Sequence, residues 1–181
     1  MTVSPIADTS IYINIINDFI KTCNEDPEIK ALNKEFADLG AVYYTKLKEK
    51  WTSCRKLTPL CINEFKASPN DPKAQQKAVK QVAQYIEIGQ QVVNNGKKKG
   101  FVLNRMCDRI KSIKKTALNA FDQVKTTNTK LKKELKITLI RSAEQNLHEI
   151  EKIIADVTAN INKNDAQIQY FQTWLSNSCP P

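Results

Sequence analysis

From Phe101 to Cys179 the chain has neither glycine nor proline, and apolar residues recur every three or four positions nearly throughout. Leu103, Met106, Ile110, Ile113, Ala117, Phe121 and Val124 form one stripe. Leu131, Leu135, Leu139, Leu147, Ile150, Ile154, Val157, Ile161, Ile168 and Leu175 form a second. This period puts each stripe on one face of a helix. Long helices with a narrow apolar stripe bury it only against other helices. The expected fold is therefore all-α: a single elongated antiparallel bundle of four to five main helices with short accessory helices, one domain spanning residues 1–181.

Capping signals divide the rest. Residues 1–10 read as a lead-in, with Thr9 or Ser10 capping a helix that carries Tyr12, Ile16, Phe19, Ile20 and Cys23 on one face. Asp26-Pro27 starts a long helix with the stripe Ile29, Leu32, Phe36, Leu39, Tyr43, Leu47, Trp51 and Cys54. Thr58-Pro59 predicts a turn or kink, Ser68 to Pro72 a loop, and Asp71-Pro72 a new helix that Asn94-Asn95-Gly96 should end. Thr126 to Thr129 predicts a tight turn, with a continuous helix as the alternative, and Asn162 to Asp165 a soft point. Folded antiparallel, helix 71–94 should run opposite to helix 101–125.

Composition agrees with few, long elements: 41% hydrophobic, 26% charged, with only four glycines in 181 residues. No run approaches the ~18 apolar residues of a membrane span. The five cysteines, Cys23, Cys54, Cys61, Cys107 and Cys179, lie near expected helix ends, where they read as staples. Cys54–Cys61 is the first-choice bridge, across the proline turn, and Cys107–Cys179 the second, leaving Cys23 free or intermolecular. That pattern predicts a secreted protein whose signal peptide is not part of this sequence. The alternative is that the cysteines are reduced and serve as small hydrophobes in a helical interior.

Candidate chemistry is sparse. The single histidine, His148, lacks the second histidine four residues on that a zinc-protease helix needs, since Lys152 stands there. The cysteines form no CxxC pair, and no glycine-rich phosphate loop occurs. Glu35 and Asp38 could be written as an acid and base, but carboxylates three apart on a helix ordinarily form a solvated face. No catalytic residue, metal or cofactor is expected, and the chain reads as a non-enzyme.

Charge is the compositional anomaly. The net charge is +9, and residues 97–141 alone hold fourteen Lys or Arg against Asp108, Asp122 and Glu134. Lys97, Lys98, Lys99, Lys111, Lys114, Lys115 and Lys125 precede the expected turn; Lys130, Lys132, Lys133, Lys136 and Arg141 follow it. Such a basic helical segment can bind a sulfated glycan or an anionic lipid surface, or it can be a solvated face with no ligand. Lysine far outnumbers arginine, and the only aromatics of the segment, Phe101 and Phe121, both read as stripe positions, which argues against specific nucleic-acid recognition.

The stretch Cys54-Arg55-Lys56-Leu57-Thr58-Pro59-Leu60-Cys61, followed by helix and a Ser-Pro-Asn-Asp-Pro loop, resembles the opening hairpin of the plant invertase and pectin methylesterase inhibitors. These are disulfide-closed helical bundles with an odd cysteine. The resemblance covers residues 54–72 and implies a scaffold that acts by occupying another protein's surface. The functional expectation is a secreted, non-enzymatic interaction protein of host-directed, immune or reproductive effector type. It would bind a protein partner or an anionic surface through its lysine-rich end. The alternatives are a carrier of a small apolar ligand or lipid between the helices, and an intracellular helical scaffold with reduced cysteines. Oligomeric state is left open.

Overall fold

The computed structural model describes residues 5–178, with side chains described from Thr9, and contains no strand among them. Helix α1 spans Pro5–Glu25, α2 Pro27–Val42, a π-helical turn Tyr43–Leu47, α3 Lys48–Ala67, α4 Pro72–Gln123 and α5 Thr129–Ser178. Because α2, the π turn and α3 run on without a break, the described residues form four helices; the fifth main helix and the short accessory helices are absent. The lead-in is also shorter than expected, since α1 is already helical at Pro5.

Three starts follow the capping signals. The Ile29 amide donates to Asp26 Oδ1 at 3.0 Å, the Lys73 amide to Asp71 Oδ1 at 2.9 Å, and the Leu131 amide to Asn128 Oδ1 at 3.1 Å. Each satisfies an amide that a helix start leaves without an intrahelical acceptor. The turn expected at Thr126 to Thr129 is present, with residues 124–128 linking α4 to α5. There Lys132 Nζ donates to the carbonyls of Asp122 and Val124, at 3.1 and 2.9 Å, closing the C-terminal end of α4.

Three expected interruptions do not occur. Pro59 lies inside α3, where Trp51, Cys54, Thr58, Cys61 and Ile62 are all buried on one face, and that packing overrides the proline. Asn94-Asn95-Gly96 does not end a helix: α4 continues for 52 residues, and no described residue has a positive φ. Gly96 instead permits close approach, since a Cβ there would lie 2.9 Å from Ile161 Cγ1. Asn162 to Asp165 likewise stays helical within α5. The antiparallel scheme changes accordingly, because residues 72–94 and 101–123 belong to one helix, α4.

The π turn has a cause in the spacing. From Leu39 through Tyr43 and Leu47 to Trp51 the stripe advances by four residues three times in succession. At 3.6 residues per turn each such step rotates the stripe by about 40°. A wider turn absorbs that drift, and the Lys48 amide donates to the Tyr43 carbonyl five residues back.

The chain divides into two compact units threaded by shared helices. The first comprises residues 1–35 and 101–154. Its core takes Tyr12, Phe19 and Cys23 from α1, Ile29 from α2, Cys107, Ile110, Ile113, Ala117 and Phe121 from α4, and Leu139, Ala143 and Leu147 from α5. The rings of Tyr12 and Phe121, both wholly buried, stack at 4.5 Å. The second unit comprises residues 36–100 and 155–181. Trp51, Tyr85 and Phe171 form its aromatic centre, with centroid spacings of 4.7 and 4.5 Å. Tyr85 donates to Gln167 Oε1 at 2.8 Å, and the buried Asn95 donates from Nδ2 to the Leu39 carbonyl at 3.0 Å.

Within the first unit Asp26 is a buried carboxylate as well as a cap. Arg109 donates to its Oδ2 from Nη2 at 2.7 Å and from Nε at 3.1 Å. Those hydrogen bonds hold the carboxyl below its ordinary range against the opposing pull of burial. A depressed folded-state pKa contributes stability that is fully present above the unfolded value of about 3.9 and is lost as pH falls through the folded one. Thermal melts should therefore show the midpoint dropping below about pH 4. Asp26→Asn should flatten that acid limb relative to wild type while lowering stability at neutral pH; an unchanged acid limb would remove Asp26 as its source.

Candidate functional site

Four of the cysteines expected to act as staples or small hydrophobes are free and buried: Cys23, Cys54, Cys61 and Cys107. The Cys54–Cys61 bridge is corrected. With Pro59 inside the helix, the two lie seven residues apart on one face of α3, about 10.5 Å along the axis at 1.5 Å per residue. That exceeds the ~7 Å Cα separation a disulfide tolerates. The hairpin resemblance fails for the same reason, because the turn it needs is helix. Cys107 sits in the first unit's core, and the partner expected for it, Cys179, lies outside the described residues. Burial raises the thiols of Cys23, Cys54 and Cys107, so thiolate, the reactive form, is disfavoured at all three.

The other catalytic candidates do not assemble. His148, Glu35 and Asp38 are exposed, and no cluster of three or more metal-ligating side chains exists among the described residues. No described helix is long and apolar enough to cross a membrane.

The basic segment is real but unevenly committed. In the first unit Lys136 pairs with Asp122 at 2.7 Å, Lys114 with Glu144 at 3.7 Å, and Lys132 caps α4. Arg105 and Arg109, though basic, are taken up by Glu28 and Asp26. What stays exposed, with no carboxylate in ion-pair range among the described residues, is Lys125 in the turn, Lys130 and Lys133 in the first turns of α5, and Lys111, Lys115 and Arg141 further along the two helices. Phe121 is core as expected, but Phe101 is 64% exposed, with the Arg105 guanidinium 5.9 Å from its ring.

Lys97, Lys98 and Lys99 belong to the second unit and have three different surroundings. Lys97 lies 3.9 Å from Asp165, and Lys98 is exposed. Lys99 turns inward against aromatic rings, 5.4 Å from the Tyr43 centroid and 6.0 Å from that of Phe36, and burial depresses its ammonium. Beside it is a cleft of about 280 Å³ between the π turn, α3, α4 and α5. Sequence reasoning missed this cleft. The available signal was Lys99 itself, which stands where the α4 stripe of Val92, Gly96, Leu103 and Met106 calls for an apolar residue.

No protein family, curated protein or solved structure matches this chain.

Proposed function

We propose that this protein is a non-enzymatic interaction protein whose basic α4–α5 turn docks on an anionic surface, a sulfated glycan or acidic lipid head groups. The observation that carries the reading is the set of exposed, unpaired cations Lys125, Lys130 and Lys133 around one short turn, flanked by Lys115 and Arg141 on the helices it joins. Lysines without arginine forks favour diffuse attraction over recognition of a particular base or phosphate pattern. Such attraction depends on salt, because it draws on counterion release.

Heparin affinity tests it. Lys132 and Lys136 hold the turn together, so the informative variant is Lys125→Gln, Lys130→Gln and Lys133→Gln combined. With three contacts, affinity should fall by a factor of ~40 between about 50 and 200 mM salt, and the triple variant should elute at clearly lower salt with its helical spectrum unchanged. A wild type that is not retained, or a variant that elutes with it, would reduce the segment to a solvated face.

The second reading is a helical scaffold with reduced cysteines, favoured by the four buried free thiols. Of the two disulfide staples from which secretion was argued, Cys54–Cys61 is absent, and Cys107–Cys179 involves a residue outside those described. In the native protein Cys23, Cys54, Cys61 and Cys107 should react slowly with a thiol reagent, and the denatured protein should react at all five cysteines without prior reduction. A mass two hydrogens short of the fully reduced chain would count against this reading.

A further inference from the structure

We propose that the cleft of the second unit binds a small amphipathic carboxylate, its apolar body against Tyr43, Trp51, Val93 and Ile161 and its carboxylate toward Lys99. Three features of the site select that chemistry.

The lining is one-signed. Arg55, Lys99 and Lys163 all border the cleft and no aspartate or glutamate does, while Asn95, Asn160 and Asn164 add amide groups. An anion would meet cations and donors with no opposing carboxylate.

Lys99 supplies an independent pointer. It is partly desolvated against Phe36 and Tyr43 and has no carboxylate partner among the described residues, whereas Lys97, one half-turn earlier in α4, has Asp165. Withdrawing an ammonium from water without a counter-charge is unfavourable, and a bound anion offsets that cost. The adjacent wall is set by the π turn that carries Tyr43, a deviation often found at functional sites.

Size and polarity favour an organic anion with a short apolar body. Apolar side chains from four helical segments line the space, which suits a hydrocarbon or aromatic body better than an inorganic ion. At the ~30 Å³ that a water-sized group occupies, 280 Å³ admits roughly nine non-hydrogen atoms. That corresponds to a medium-chain fatty acid or a single-ring aromatic acid.

The test uses the full chain with octanoate, octanol and octylammonium, followed by calorimetry and by amide shifts at Tyr43, Gly96 and Lys99. Octanoate should bind at least tenfold more tightly than octanol, and octylammonium should not bind. Lys99→Gln should weaken octanoate several-fold to tenfold while leaving octanol unchanged, and Lys99→Arg should retain most of the affinity. The Lys125, Lys130 and Lys133 variant should bind octanoate like wild type, which separates this site from the basic turn. No octanoate binding, shifts located elsewhere, or unaltered affinity in a folded Lys99→Gln variant would overturn the proposal. If Lys99→Gln loses its helical signal, the three ligands on wild type decide: equal binding of carboxylate and ammonium overturns it.

Discussion

Phe121→Ala is expected to destabilise the protein by about 3–5 kcal/mol, the range for deleting a wholly buried phenylalanine whose site cannot collapse. Phe121 is completely buried in the first unit and stacks on Tyr12 at 4.5 Å, among residues from all four helical segments that build that core. In a chain of this size the loss should lower the melting midpoint by roughly 6–20 °C. Phe101→Ala is the matched comparison. Sequence spacing assigns both phenylalanines to the apolar stripe, but Phe101 is 64% exposed, so its removal should change stability by less than about 0.5 kcal/mol. Similar losses for the two, read by thermal or urea denaturation, would contradict the packing of α4.

Gly89→Val should destabilise by about 1–3 kcal/mol, the usual cost of forcing extra volume into a filled core. A Cβ at Gly89 would lie 2.9 Å from Cγ1 and Cδ1 of Ile168 and 3.1 Å from the Trp51 ring, and both neighbours are buried. Gly40 gives the opposite sign. Nothing lies within 4 Å of the position its Cβ would take, so Gly40→Ala should stabilise by about 0.5–1 kcal/mol through helix propensity. Denaturation of the two variants beside wild type checks both signs. A neutral Gly89→Val would mean that α4 and α5 do not approach closely there.

Gly89 and Gly96 also show why local signals misled. Glycine after Asn94-Asn95 is a standard helix stop when considered alone, yet both glycines lie seven residues apart on α4, opposite Ile168 and Ile161 on α5. The demand for close helix approach is a property of the partner, which local sequence does not contain. Pro59 is similar: its cost within a helix is local, and the buried face of α3 that outweighs it is tertiary.

The candidate sites divide in the same way. The basic segment was visible as a run of lysines, but whether each lysine is free depends on Asp122, Glu144 and the α4 carbonyls, which only folding brings to it. The thiols were countable in sequence. Burial of Cys23, Cys54, Cys61 and Cys107, and the separation of Cys54 from Cys61 along α3, depend on the fold.

Hydrophobic period and capping chemistry act over one or two turns, so they made legible that the described residues are all-helical and that helices begin after Asp26 and Asp71, while packing chose the turn before Thr129 over a continuous helix. Where a helix continues through proline or glycine, which cations remain unpaired, and that Tyr43, Trp51, Arg55, Lys99 and Ile161 share one cleft were decided by packing between segments far apart in the chain. Those outcomes depend on energies of several kcal/mol from burial, which exceed the ~1 kcal/mol preferences that local sequence expresses.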